Sequence, residues 1–334
     1  MTSPSTYAIE ATGLVKRFGD KTALHGVDFA VPAGTVTAVL GPNGAGKTTA
    51  VRILTTLSKP DGGSATVAGF DVQTEAVKVR RSLGLAAQDA TVDGLLTGLE
   101  NLVMIGELHH LGRKAARARA AQLLDEFSLT DSAGKLASEY SGGMRRRLDL
   151  AATLVARPPV LFLDEPTTGL DPRARAELWD VLDGLVGRGT TLMLTTQYLE
   201  EAERLADDIV VVDHGRIIAQ GDSRELKRKV GGDQVQLIVS DPAKLDHAVA
   251  ILQRGAGADP KVDQQARTAT VPTTNGVAAL AAVSVALADA GIEVDDLGMR
   301  QPTLDEVFLT LTGSPAIDES AASSDSPELQ KAAR

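Results

Sequence analysis

The chain has no cysteine, which excludes thiol nucleophiles, thiolate metal sites and disulfides. That fits a reducing compartment. Basic residues are in the minority, with 34 Lys and Arg against 44 Asp and Glu and a formal net charge of -10. Such a balance argues against a nucleic-acid partner, which needs a basic face to meet phosphates. Long apolar runs are missing as well. The most apolar stretch, Gly276 to Ala288, is Ala-rich and bounded by Asn275 and Asp289, too short to cross a bilayer. Met1 to Ala8 is polar and lacks the basic-then-apolar pattern of a secretory leader. The expectation is a soluble chain, whose 334 residues leave room for one large domain and a smaller one.

What is present centres on Gly41-Pro42-Asn43-Gly44-Ala45-Gly46-Lys47-Thr48, followed by Thr49. The run fits G-x-x-x-x-G-K-[ST], the phosphate-binding loop. Thr35 to Leu40 before it predicts a short buried strand, and Thr49 to Leu57 after it predicts a helix. Strand, glycine loop and helix form the context that the motif requires. Glycines let the backbone curl with its N–H groups inward, and the helix that follows aims its dipole at the same anion. Lys47 is expected at the β- and γ-phosphates of a nucleotide, and the Thr48 hydroxyl at Mg²⁺.

Ahead of the loop, Tyr7 to Gly19 and Thr22 to Val31 predict two extended segments, an antiparallel flap leaning on the nucleotide core. Phe18 lies at the start of that flap, where its ring could stack on an adenine or fill the core. Lys59 to Gly63 is a turn and Ser64 to Val67 a strand; Val77 to Leu83 is basic and helical, and Leu83 to Ala87 is a short strand ending at Gln88. From Leu95 to Tyr140 helix formers recur at helical spacing, with Leu123, Leu124 and Phe127 on one stripe, which predicts an all-helical insertion. Its arginines, Arg113, Arg117 and Arg119, are expected to form a solvated face.

Tyr140 to Arg147 then opens a second helix, with Ser141 as its cap and Gly142 and Gly143 exposing backbone N–H groups beside it. This is a second anion-binding helix start. Val160 to Leu163 is a continuous apolar strand ending in Asp164 and Glu165. An acid at that place holds Mg²⁺ in a P-loop fold, which assigns Asp164, and Glu165 can face an attacking water as general base. A turn through Gly169, Leu170 and Asp171 leads to the helix Arg173 to Val186, and the strand Thr190 to Thr196 ends at Gln197.

Taken in order and at their spacing, Phe18, the Gly41 loop, Gln88, Ser141 to Arg145, Asp164-Glu165, Gly169 to Asp171 and Gln197 resemble the ATPase subunit of ATP-binding-cassette transporters. The resemblance covers residues 7–229 and implies the roles. Phe18 would stack on adenine, and Gln88 would touch Mg²⁺ and the lytic water while linking to a membrane partner. Ser141 and Gly143 would bind the γ-phosphate of ATP held by an opposite subunit, with Asp171 at the shared face. A homodimer with two ATP between its copies follows. Gln197 departs from the family, in which most members carry histidine; glutamine keeps an N–H donor but carries no proton. The loop, Tyr140 to Arg147, Leu194 to Leu199 and the late stretch Thr303 to Gly313 further resemble daunorubicin-type antibiotic exporters. In these the permease is a separate integral-membrane protein handling a hydrophobic, drug-like cargo, so this subunit is expected at the cytoplasmic face of the cell membrane.

The expected fold is α/β: a P-loop NTPase core over residues 7–230, with an antiparallel β flap and a helical subdomain at about 89–140. Beyond a Gly231-Gly232 hinge, residues 233–313 run β-α-β-β-α-β, which suggests a small α+β, ferredoxin-like domain with a regulatory or dimer-supporting role. Residues 314–334 are Ser-, Ala- and acid-rich, a disordered tail by composition. A soluble cassette ATPase acting on ribosomes or DNA is the rival reading, weakened by the single cassette and the acidic charge. A non-hydrolysing nucleotide-gated module, prompted by Gln197, is another.

Overall fold

The computed structural model describes residues 6–87, 91–230 and 232–313, which form two compact units divided between Gln220 and Gly221. The first carries β1 (Tyr7–Phe18), β2 (Lys21–Pro32), β3 (Val36–Leu40), α1 (Lys47–Leu54), β4 (Gly62–Val67), β5 (Phe70–Asp71), α2 (Ala76–Ser82) and β6 (Leu83–Ala86). It continues with α3 (Gly98–Leu108), α4 (Arg113–Glu126), α5 (Gly142–Thr153), β7 (Val160–Asp164), α6 (Pro172–Val186), β8 (Thr191–Thr196), α7 (Leu199–Leu205), β9 (Asp208–Asp213) and β10 (Arg216–Gly221).

Two sheets organise this unit. The core sheet has the order β10-β9-β3-β8-β7-β6, and the flap has the order β2-β1-β4-β5. Strands β3, β7 and β8 are buried at every residue, which is why their sequences are continuous apolar runs rather than alternating ones: parallel strands are covered on both faces. The β1 and β2 strands alternate in burial, as a half-covered antiparallel pair does. Register decides where the chemistry gathers. In the parallel pairs Leu40 lies beside Thr196 and Asp164 beside Thr195. The C-terminal ends of β3, β8 and β7 therefore open side by side at one edge, where α/β sheets bind ligands.

Between β6 and α5 the described chain has helices joined by turns and no strand, apart from one isolated bridge, Thr97 to Leu136. Thr97 and Glu100 form a capping box at the start of α3. Gly106 lies so close to α4 that a Cβ there would stand 2.7 Å from Ala116 Cβ, so the glycine sets the spacing of the two helices. Arg119 is not a free solvated residue as expected: its guanidinium donates to Leu154 O at 2.8 Å and to Gln122 Oε1 at 3.0 Å.

The second unit carries α8 (Ser223–Val230), β11 (Gln234–Val239), α9 (Leu245–Ala256), β12 (Lys261–Asp263), β13 (Thr268–Pro272), α10 (Gly276–Asp289), β14 (Val294–Arg300) and α11 (Leu304–Thr312). Its antiparallel sheet has the order β12-β13-β11-β14. Inward residues of β11 (Val235, Leu237, Val239) pack with Leu252 of α9 and Val283 of α10 in one core. The division falls earlier than the residue-230 boundary expected from sequence, because α8 packs on α11. Among the described residues no helix is long and apolar enough to cross a membrane. Gly231 and the expected tail at 314–334 lie outside the described residues.

Candidate nucleotide site

The Gly41 loop leaves β3 and ends as α1 begins at Lys47. Its glycines are required by space and by conformation. Gly44 and Gly46 have φ of 81° and 110°, in the left-handed region that L side chains avoid. A Cβ on Gly41 would stand 2.2 Å from Val212 O, and one on Gly46 2.8 Å from Ala23 O. Lys47 is buried, and its ammonium donates to Gly41 O at 2.7 Å and Pro42 O at 3.1 Å. Its Nζ stands 3.9 Å from Glu165 Oε1. Burial pulls the Lys47 pKa below the ordinary lysine value, opposed by the charges of Glu165 and Asp164.

At the end of β7, Asp164 Oδ1 accepts from the buried Thr195 hydroxyl and, at 3.3 Å, from Thr48 Oγ1. Thr195 belongs to β8, so this hydroxyl pins neighbouring strand ends together. Glu165 turns out of the strand with φ 50°, a strained conformation for a residue with a side chain. Its N–H donates to Thr195 O at 3.0 Å, and its Oε2 accepts from Thr168 Oγ1 at 3.4 Å.

Phe18, Asn43, Gly44, Gly46, Lys47, Thr48, Thr49 and Glu165 line one cleft of about 260 Å³, together with Lys21 and Ala23. Phe18 is 54% exposed, so it is not a core residue. Gly41, Pro42 and Ala45 complete the loop backbone around it, with Ala45 packed inward. Gln197 does not line this cleft; it follows β8, and its Oε1 is buried without a hydrogen-bond partner. Gln88 lies outside the described residues. Oxygen donors from Thr48 and Asp164 meet at hydrogen-bonding distance, a donor set that suits Mg²⁺ completed by phosphate oxygens. Among the described residues no three His, Asp or Glu side chains converge as a metal cage.

Ser141, Gly142, Gly143 and Asp171 are brought together elsewhere. They line a second cleft of about 430 Å³ with Gly169, Leu170 and Arg147. Ser141 caps α5, accepting from Met144 N at 3.2 Å, and Asp171 caps α6, accepting from Ala174 N at 2.7 Å. The two clefts share no lining residue.

Two residues at this site are not distinguishable in the sequence. Arg146 is one of three consecutive arginines, yet its guanidinium donates to Ala87 O (2.6 Å), Pro166 O (3.0 Å), Asp164 O (3.1 Å) and Glu165 O (3.2 Å). Its neighbours at helical spacing, Gly142, Gly143, Asp149 and Leu150, give no clear sign that its face is inward. Glu201 looks like one acid of an acidic helix but is fully buried, with Trp179 Nε1 donating to its Oε1 at 3.4 Å.

Residues 24–168 match the profile of a family described as ABC transporter. A daunorubicin resistance ATP-binding protein of Streptomyces coeruleorubidus is 52% identical, over 92% of this chain and 95% of that protein. A daunorubicin/doxorubicin resistance ATP-binding protein of Streptomyces peucetius is 48% identical, over 96% and 97%. Among solved structures, an ATP-binding cassette determined as a dimer in a post-hydrolysis state with ADP and Pi superposes with a TM-score of 0.59. It is 25% identical and is covered over 98% of its length by 64% of this chain.

Proposed function

The chain belongs to the ATP-binding-cassette transporter family, and on that premise we propose how it works: two copies close on two ATP molecules, and hydrolysis drives export of a hydrophobic, antibiotic-like compound through a separate membrane permease. Membership makes it an ATPase coupled to transport. The resistance named for its relatives supports a cargo of that chemistry, and attachment through the permease puts the subunit at the cytoplasmic face of the membrane.

One observation carries the pairing. The loop cleft and the Ser141–Gly143 cleft are separate and share no lining residue. Each has half of what a triphosphate needs. The loop N–H groups, Lys47 and the start of α1 hold the phosphates; the start of α5 of the second copy supplies donors to the γ-phosphate from the other side. Phe18, exposed at the rim, stacks on the base. Glu165 takes the proton of the attacking water, and Gln197, which does not line the cleft of the single chain, would donate an N–H to the γ-phosphate once the site is closed. Thr48 and Asp164 would hold Mg²⁺, which when bound offsets charge on the phosphate oxygens. The second unit's chain order and its sheet order β12-β13-β11-β14 support a ferredoxin-like domain that steadies the pair.

The direct test is steady-state turnover of the full chain with ATP and Mg²⁺, alone and co-purified with its permease. Turnover stimulated by the permease is expected. No turnover with Glu165 intact overturns the reading in favour of a nucleotide-gated module.

A further inference from the structure

Arg146 occupies an unusual position between the two clefts. It belongs to α5, whose capped end carries Ser141, Gly142 and Gly143. Its guanidinium, however, is spent on backbone outside that helix. Four carbonyls accept from it: Ala87 after β6, and Asp164, Glu165 and Pro166, consecutive residues from the last of β7 onward. Asp149, one turn along α5 and fully buried, stands 3.7 Å from Arg146 Nη1. Its Oδ1 accepts from the Thr91 backbone N–H at 2.7 Å. The Arg146 side chain is only 13% exposed, so these bonds are made away from bulk water, where carbonyl contacts to a charged donor are strong.

The backbone it holds is strained. Glu165 keeps φ 50° only because its surroundings impose it. Its backbone is held on both sides: the Glu165 N–H donates to Thr195 O and to Thr195 Oγ1, and the Glu165 carbonyl accepts from Arg146 at 3.2 Å and, less closely, from the Thr168 N–H at 3.4 Å within its own turn. The N–H contacts fix Glu165 to its own sheet. The Arg146 contact alone among these ties it to the helix that faces the partner's nucleotide, in the pairing set out above.

We propose that Arg146 is a positioning residue that makes the geometry of the base Glu165 depend on what the Ser141–Gly143 end of α5 is touching. When α5 seats against a γ-phosphate, its guanidinium carries that seating to the Glu165 carbonyl, so that each chain's base is set by contact with the ATP of the other chain. Lysine cannot substitute for it. An ammonium is a point donor without the planar fork that reaches carbonyls on two segments at once. This inference rests on the paired-cassette reading.

The test uses the full chain with Arg146→Lys and, should that variant fail to fold, Arg146→Gln. Folding is checked by thermal melting. Turnover should fall about 100-fold, as a small misplacement of a catalytic group does, while KM for ATP and the affinity for a fluorescent ATP analogue stay within about two-fold. Placed in a Glu165→Gln background, Arg146→Lys should still form ATP-driven dimers by light scattering. Turnover within about two-fold of the parent overturns the proposal; so does joint loss of nucleotide affinity and dimerisation, which marks a residue that only holds the fold. If the Glu165→Gln chain with Arg146 intact forms no ATP-driven dimer, the paired reading fails first and this inference falls with it.

Discussion

Lys47 Nζ stands 3.9 Å from Glu165 Oε1, while its hydrogen bonds go to the Gly41 and Pro42 carbonyls of its own loop. The residue that grips phosphate and the residue that serves the water thus face each other across one cleft. Replacing Glu165 with Gln keeps the shape and removes the charge that opposes the burial of Lys47. Turnover should fall by the roughly 10²–10⁴-fold that a general base contributes, with ATP still bound. Near-parental turnover in a steady-state assay would show the proton goes elsewhere.

Gln197 carries a buried, unpartnered Oε1, and it cannot take up a proton. Gln197→His should leave turnover equal or higher, since histidine keeps an N–H donor and adds the option of charge. Collapse of activity in a chain that melts normally would mean that the position does not face the nucleotide.

Gly143 separates function from fold. A Cβ there would meet Ala174 Cβ at 3.5 Å and Leu170 Cδ2 at 3.7 Å, which is ordinary contact within its own chain. Gly143→Ala should therefore melt at or above the parent, by at most about 1 kcal/mol of helix stabilisation. Turnover should nevertheless drop, because the added methyl enters the surface offered to the partner's phosphate. Unchanged turnover would show that this surface meets nothing.

Glu201 gives a pH prediction. Burial is the largest influence and raises its pKa above the ordinary carboxylate value; the Thr196 and Thr167 hydroxyls, Trp179 and the charge of Arg175 pull the other way. Only the Trp179 bond has hydrogen-bond geometry, and Glu201 Oε2 is buried without a partner. A carboxyl raised on folding binds its proton more tightly in the folded chain. Its stabilising contribution is present below the unfolded value of 4.5 and is lost as pH rises through the folded one. Glu201→Gln should flatten the fall of the melting temperature as pH rises above that value. Trp179, the single tryptophan, should report the same titration in its fluorescence; an identical pH profile in the variant would contradict the assignment.

Much of the candidate site is legible in the sequence. The Gly41 loop, the ends of β7 and β8 and the Ser141 cap each follow from local chemistry: glycine where φ is positive, continuous apolar runs where both faces are covered, and serine where α5 begins; that Asp171, read as a turn residue, caps α6 is seen only in the structure. What sequence could not supply is what register and packing decide. Nothing in three adjacent arginines marks Arg146 as the one that binds four carbonyls, because its partners come from β6 and β7. Arg119 departs from its expected solvated face for the same kind of reason, since its guanidinium finds Leu154 O at the end of another helix; Glu201, likewise an ordinary surface residue type, is buried with no sequence sign of it. Phe18 was ambiguous between adenine stacking and the core until its exposure at the cleft ruled out the core. The boundary between the two units moved because α8 packs on α11, a contact between distant segments.

The central claim is that the site is completed by a second copy. The measurement is the mass of the Glu165→Gln chain by light scattering with ATP and Mg²⁺, beside the same chain carrying Ser141→Arg as well. A dimer with one ATP per chain is predicted for the first, and for the second a monomer that still binds ATP. A Glu165→Gln chain that holds ATP as a monomer, or a dimer indifferent to Ser141→Arg, would contradict the account.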